Sequence, residues 1–202
     1  MDFLTELWAP IVLSAVIAWI VSAIIWTVAP HRKAEWSGVT DEERFLGTIR
    51  SMSLGAGYYM FPFCGDAAQM KDEAFKKRWN EGPIGVLHVW SHRRSMGACM
   101  IGSFVFNLVA SVFIAYIAWN SLDGRAGLDY LKVFQITGAT AFMAYSFALI
   151  PGGIWFGKPI RSMVYDVVEG LVIGLLTGGV FGWLWAYAAG AVDAAAGAAA
   201  PG

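Results

Sequence analysis

The sequence predicts an all-α membrane protein with four transmembrane helices and a small cytoplasmic cap between the first and second helices. Its composition is the first observation: 57% of the residues are hydrophobic and 14% are charged, whereas soluble domains average about 25% charged. The second observation is a set of four stretches without Asp, Glu, Lys or Arg, each long enough to cross a hydrocarbon layer of about 30 Å. These stretches are 7–29, 95–122, 133–157 and 170–192.

We therefore expect transmembrane spans at 7–29, 95–121, 132–156 and 163–189, an interfacial cap at 34–94, and a flexible periplasmic tail at 190–202. Twelve Lys and Arg residues fall between the first and second or the third and fourth spans, and only Arg125 and Lys132 lie on the other side. Short loops rich in basic residues stay cytoplasmic. The sequence thus predicts a multi-pass protein of the bacterial inner (cytoplasmic) membrane with both termini periplasmic.

The first span carries a stripe of small residues, Ser14, Ala18 and Ser22, which favours close packing against a neighbouring helix. The span is therefore expected to pack inward along this small-residue stripe. His31 follows the span, in a basic stretch that marks the exit into the cytoplasm, and we interpret it as an interfacial side chain.

The cap is predicted to hold a helix that Thr40 caps and that ends near Ser51, a surface helix over 66–79, and an apolar strip over 58–63 that 84–90 either covers or pairs with. Its aromatic residues are too many for so small a segment to bury. Arg93 and Arg94, just before the second span, are expected to meet anionic lipid headgroups. The predicted surface for a partner or for lipid is Tyr58, Tyr59, Phe61, Trp90, Arg93 and Arg94.

Four glycines of the fourth span recur at every fourth residue, a spacing that makes one smooth groove along a helix. They are Gly170, Gly174, Gly178 and Gly182. The second span repeats small and polar residues at the same interval, at Cys99, Ser103, Asn107 and Ser111. We expect these two surfaces to pack together, and the third span to kink or unwind over 151–153.

Asp166 and Glu169 lie three residues apart at the start of the fourth span, where ionisable groups suggest a path for protons or cations. Asn107 and Gln135 are the other polar residues that such a path would use. The simpler interpretation, which we favour, is that the two acids complement the helix dipole and pair with Arg161.

Ligation of a metal or haem is disfavoured. His88 and His92 are four residues apart, and Cys64 is a conceivable third ligand, but a strand would separate the two imidazoles by about 13 Å. None of the three histidines falls inside a span, and haem in membranes is usually held by buried imidazole. We expect no metal and no cofactor held through side-chain ligation, while a bound lipid or an apolar pigment stays open.

Several phrases resemble a family of small uncharacterised bacterial four-helix inner-membrane proteins. They are Pro30-His31-Arg32-Lys33, Tyr59-Met60-Phe61-Pro62, Gly82-Pro83-Ile84-Gly85, Ile154-Trp155-Phe156-Gly157-Lys158-Pro159 and Phe181-Gly182-Trp183-Leu184-Trp185. The similarity covers most of the chain and implies the same four-helix plan. It brings no established activity, substrate or catalytic residue.

The sequence favours a non-catalytic accessory subunit of a larger energy-transducing membrane complex, respiratory or photosynthetic. Its expected partners are other integral membrane subunits and phospholipids, and no nucleic acid. The alternative is a small carrier of protons or solutes, or a lipid-handling protein, that uses Asp166 and Glu169. A third hypothesis, a membrane-embedded enzyme that uses Cys64 or His88, has weaker support because no motif names a reaction.

Overall fold

The structure, a computed structural model, describes residues 2–122 and 129–198, with side chains over 3–122 and 129–185. Nine helices and two strands lie in these ranges. In chain order they are α1 (Asp2–Glu6), α2 (Trp8–Val28), α3 (Pro30–Lys33), α4 (Glu42–Ser51), β1 (Gly57–Phe61), α5 (Glu73–Glu81), β2 (Gly85–Val89), α6 (Met96–Ser121), α7 (Tyr130–Ser146), α8 (Leu149–Phe156) and α9 (Ile160–Ala198), with a 3-10 turn at Gln69–Lys71 before α5.

Four helical segments are long and apolar enough to cross a membrane, as predicted: α2, α6, the pair α7–α8 and the first part of α9. The chain is mostly helical, at 72%, and fits an integral membrane protein that crosses the bilayer several times. The last helix begins at Ile160 and continues to Ala198. It therefore extends into the segment predicted as a flexible tail, of which 199–202 lie outside the described residues.

The glycine groove of α9 faces α7, whereas the predicted partner was the second span, α6. A Cβ atom built on Gly174 would lie 2.9 Å from the carbonyl oxygen of Gly138, and one built on Gly178 would lie 2.9 Å from that of Phe134. Cβ atoms built on Gly170 and Gly182 would meet the side chains of Ser146 and Tyr130 first, with backbone atoms of these two residues at 3.3 and 3.2 Å. The two backbones therefore approach closely along the whole groove, and the prediction of α6 as its partner is wrong.

The second span packs instead against the first. The hydroxyl oxygens of Ser14 and Ser111 lie 3.0 Å apart and buried, and the indole nitrogen of Trp19 donates to the carbonyl oxygen of Met100 at 3.0 Å. Apolar side chains from α2, α6, α7 and α9 complete the core between these pairs; among them are Ile11, Ile114, Ala118, Val133 and Phe181.

The third span is interrupted at Phe147 and Ala148, between α7 and α8. Pro151, in the first turn of α8, has no N–H group to donate to the preceding turn, so the hydrogen-bond ladder stops just before it. The break therefore lies at 147–148, before the predicted 151–153, which are helical in the structure. The αL conformation of Gly157, with φ 69°, then ends α8 and turns the chain into α9.

The cap contains a small antiparallel sheet, so the fold is not purely α-helical. Strand β1 pairs with β2, with Tyr59 opposite Leu87 and Phe61 opposite Gly85, in the segments for which pairing was expected. The first cap helix, α4, is capped by Asp41, whose side chain accepts from the backbone N–H of Arg44, and not by Thr40 as predicted. The predicted surface helix over 66–79 becomes the 3-10 turn followed by α5.

Candidate functional site

A buried arginine lies at the end of the bundle from which the cap emerges. Arg32, in α3, leaves only 2% of its side chain exposed. Its Nε donates to Glu169 Oε1 at 2.8 Å, its Nη2 donates to Asp166 Oδ1 at 2.8 Å, and its Nη1 donates to Glu35 Oε2 at 3.0 Å. The guanidinium carbon also lies 4.3 Å from the centre of the Trp26 ring. Arg32 is therefore the centre of an ion cluster.

The helical spacing of α9 explains why two of these acids reach the same cation. Residues three apart lie on one face of a helix, so Asp166 and Glu169 both point at α3. Their side chains are 4% and 13% exposed, respectively. Pro30 at the first position of α3 sets the short helix that turns Arg32 back toward α9.

Two further side chains complete the cluster. The ammonium group of Lys158, in the turn between α8 and α9, forms an ion pair with Asp166. The Nε2 atom of His31 lies 2.9 Å from Glu169 Oε1, and the His31 ring packs on Tyr165. The ion cluster thus consists of His31, Arg32, Glu35, Lys158, Asp166 and Glu169, and it joins the ends of three spans.

Hydrogen bonds within the cluster favour the charged forms of Arg32 and Glu35. Burial lowers the pKa of Arg32, but hydrogen bonds with Glu169, Asp166 and Glu35 outweigh it, so the pKa lies above the ordinary value. For Glu35 the effect of burial has the opposite sign and raises the pKa. The interactions of Glu35 with Ser162 and Arg32 outweigh that effect, so its pKa lies below the usual range. Arg32 and Glu35 are therefore held as a charged pair within the cluster.

The sequence-based pairing of the two acids with Arg161 is wrong. Arg161 and Asp166 are five residues apart, which places them about 140° apart around a helix. Arg161 instead donates from Nε to the Tyr165 hydroxyl at 2.5 Å, on the exposed side of α9. The true partner, Arg32, is 134 residues from Asp166. The one local signal for it is a basic residue directly after an apolar span, which reads equally well as a membrane anchor.

Asn107 and Ser111 are buried, and the amide oxygen of Asn107 accepts from the Tyr145 hydroxyl at 2.9 Å. Gln135 is exposed on α7. Of the four residues predicted for a proton or solute path, Asn107 therefore lies inside the bundle and Gln135 on its surface, while Asp166 and Glu169 belong to the ion cluster.

The predicted small-residue stripe of α6 is divided between two surroundings. Asn107 and Ser111 lie inside the bundle, whereas Ser103 and Cys99, about one and two turns closer to the cap, are exposed. Cys99 also lines a groove of about 410 Å³, together with Gly102 and Arg94. This exposed part of α6, Cys99, Gly102 and Ser103, is called the α6 small-residue surface below.

The predicted cap surface is largely open. Tyr58 is 78% exposed, Trp90 is 59% exposed, and Phe61 is 41% exposed, whereas Tyr59 is half-buried and donates to the Gly55 carbonyl at 2.8 Å. Both Arg93 and Arg94 are exposed, and the Arg94 guanidinium lies 5.7 Å from the Trp90 ring centre. An apolar cavity of about 920 Å³ opens beside β1 and β2.

His88 stacks on Tyr58, with ring centres 4.1 Å apart, and His92 contacts the Ser91 hydroxyl. Within the described ranges, no three His, Cys, Asp or Glu side chains gather in an arrangement suited to a metal ion. Comparison of the chain with protein-family models, with curated proteins and with solved structures finds no match. The resemblance drawn from the sequence phrases therefore stays a prediction.

Proposed function

We propose that this protein is a non-catalytic accessory subunit of a larger membrane complex, of the energy-transducing kind that the sequence analysis predicts. The observation that carries the proposal is the α6 small-residue surface. Small side chains on a membrane helix allow a second helix to approach closely, and within this chain nothing lies within 4 Å of a Cβ atom built on Gly102. A transmembrane helix of another subunit would fill this groove.

The ion cluster supports the same proposal by the way its charges are used. Each carboxylate already contacts a cation of this chain, so the cluster joins the ends of α2, α8 and α9 as a clamp. We infer that this buried cluster fixes the arrangement of the helices, a role that buried ionic groups have in some proteins. A rigid four-helix scaffold with one open packing surface suits a subunit that supports others.

The proposed orientation follows from the same geometry together with the distribution of charge. Because Arg32 contacts Asp166 and Lys158 contacts the same acid, the cap and the α8–α9 turn lie at one end of the bundle. That end carries most of the basic residues of the sequence. We therefore place the cap in the cytoplasm and both termini in the periplasm of a bacterial inner membrane.

Crosslinking from Cys99 tests the accessory role. The chain has two cysteines, so the Cys64→Ser variant carries a single thiol on the α6 small-residue surface. Labelled in native membranes with a maleimide photocrosslinker and irradiated, it is expected to form a discrete adduct with another integral membrane protein, identified by mass spectrometry.

The matched control for this experiment replaces a large, exposed side chain of the same helix by cysteine. The Phe113→Cys variant, in a chain lacking both native cysteines, places the probe where the native side chain is 62% exposed. We expect it to react mainly with lipid. If both positions gave the same adducts, or if Cys99 gave only lipid adducts, the accessory role would be contradicted.

The alternative function, a small carrier of protons or solutes, rests on the burial of Asp166 and Glu169. Because both acids are paired and Gln135 is exposed, we expect purified wild-type protein in liposomes to pass protons no faster than protein-free liposomes do. The measurement is the decay of an imposed pH gradient, read with an entrapped dye. A wild-type leak that Glu169→Gln abolishes would establish the carrier instead.

A further inference from the structure

We propose that the apolar cavity between the β1–β2 hairpin and the end of α8 binds an acyl chain of a membrane phospholipid. The cavity measures about 920 Å³, and its lining is Tyr58, Tyr59, Met60, Phe63, Val86 and Phe156. No charged side chain contributes to this lining. The proposal goes beyond the accessory role, because it assigns a ligand to the cap and does not depend on any partner protein.

The register of the hairpin places three of the cavity-lining residues, Tyr58, Met60 and Val86, on one exposed face of the sheet. Tyr58 lies opposite His88, and Met60 lies opposite Val86, so the four side chains project from the same face of the sheet. Tyr58, Met60 and Val86 are 78%, 40% and 43% exposed, respectively. A two-stranded sheet is marginally stable in water unless something covers its apolar face. The sequence therefore supplies a face that needs a cover.

The position of the cavity relative to the spans indicates what that cover is. Phe156, which forms its other wall, is the last residue of α8 and of the third span. The hairpin is held nearby, because β2 ends at Val89 and α6 begins at Met96, a connection that reaches about 25 Å at most. The cavity therefore lies at the boundary of the hydrocarbon layer, where acyl chains are the abundant apolar molecules.

Charge complementarity favours a phospholipid over an uncharged apolar ligand. Arg161 follows Phe156 by five residues and is exposed, with its Nε directed at Tyr165. Basic side chains at this level of a membrane attract lipid phosphates, and tyrosine rings prefer the headgroup layer. A lipid with its phosphate near Arg161 and one chain in the cavity satisfies both the basic and the apolar groups.

Photolabelling of the full-length protein in vesicles of phosphatidylethanolamine and phosphatidylglycerol tests the proposal. One preparation contains a phospholipid with a diazirine at the end of an acyl chain, and a second contains the diazirine on the headgroup. After irradiation and digestion, we expect the chain probe to modify peptides that contain β1 and β2 as readily as the exposed part of α6 near Phe113. The headgroup probe is expected to modify the hairpin less.

Two variants place a carboxylate in the cavity, Met60→Asp and Val86→Asp. Each is expected to reduce chain-probe labelling of the hairpin about tenfold or more, because an ionised carboxylate is strongly disfavoured in hydrocarbon. Met52→Asp, at a residue that is 58% exposed in the cap and outside the cavity lining, is the matched control and should retain wild-type labelling. Labelling near Phe113 should be unchanged in all three variants and reports that the spans are intact.

Three results would overturn the proposal. The first is hairpin labelling of the wild-type protein no higher from the chain probe than from the headgroup probe. The second is hairpin labelling that survives both cavity substitutions. The third is hairpin labelling that Met52→Asp reduces as much as the two cavity substitutions do. The wild-type comparison decides the question even if a variant fails to fold.

Discussion

Replacing Arg32 by methionine is expected to lower the free energy of unfolding by about 3 to 5 kcal/mol, the usual cost of removing one partner from a buried ion cluster. The guanidinium is 2% exposed and contacts Glu35, Asp166 and Glu169, so its loss leaves the buried acids with only Lys158 and His31 as partners. The measurement is the equilibrium unfolding of the purified protein in mixed micelles. Lysine at the same position should recover only part of the loss, because it lacks the planar fork of donors.

Two controls separate the clamp from a general effect of removing charge. Arg161→Met removes an exposed cation of α9 that donates a hydrogen bond to Tyr165, and we expect a change of about 1 kcal/mol or less. Adding Glu169→Gln to Arg32→Met should restore part of the lost stability, because it removes one uncompensated carboxylate. A loss of less than about 1 kcal/mol in Arg32→Met would show that the cluster does not clamp the bundle.

Substituting valine for Gly174 is the second prediction with a large effect. The new Cβ atom would lie 2.9 Å from the Gly138 carbonyl oxygen and 3.1 Å from the Phe142 backbone nitrogen, so α7 and α9 would have to separate. Overpacking of this kind costs about 1 to 3 kcal/mol. Because a backbone cannot rotate out of the way as a side chain can, we expect the upper end of that range in the same unfolding measurement.

The matched control is Gly102→Val, on the α6 small-residue surface, where nothing lies within 4 Å of the added Cβ atom. Valine is a better helix former than glycine, so the stability of the isolated protein should be unchanged or slightly higher. Equal losses at both positions would mean that the loss arises from the substitution itself and not from close packing of α7 on α9.

The four spans could be predicted from the sequence because long charge-free stretches leave a bilayer little alternative. The pairing of 58–63 with 84–90 was also predictable, since both segments are short, apolar and rich in aromatic or β-branched residues, and the structure confirms it. The N-cap residue of α4 was harder to predict, because Thr40 and Asp41 are adjacent and both are good capping residues. Such boundary residues depend on local backbone angles that composition does not determine.

The partner of the glycine groove could not be predicted from spacing alone. A repeat of four residues shows that one face of α9 is smooth, but it does not say which helix fills that face. Gly138 is the residue of α7 that allows the approach, since it contacts both Gly174 and Gly178. It is a single glycine and makes no repeat, so the more regular stripe on α6 was the misleading choice.

The sequence predicted the acids of α9 in the ion cluster but not the cation that they contact. The spacing of Asp166 and Glu169 places two acids on one face of α9, and the structure keeps them together around one cation. The identity of that cation depends on how α3 folds back after the first span, a tertiary arrangement that links residues more than 130 positions apart. Local pairing rules, which point to Arg161, contain no information about it.

The most direct test of the accessory role is quantitative mass spectrometry of what co-purifies with this chain after gentle solubilisation of native membranes. We expect other integral membrane proteins in fixed stoichiometry with the wild-type chain. Gly102→Phe, which fills the α6 small-residue surface, should lose them, whereas Phe113→Ala, elsewhere on the same helix, should retain them. A wild-type chain recovered alone, or only with copies of itself, would contradict the account.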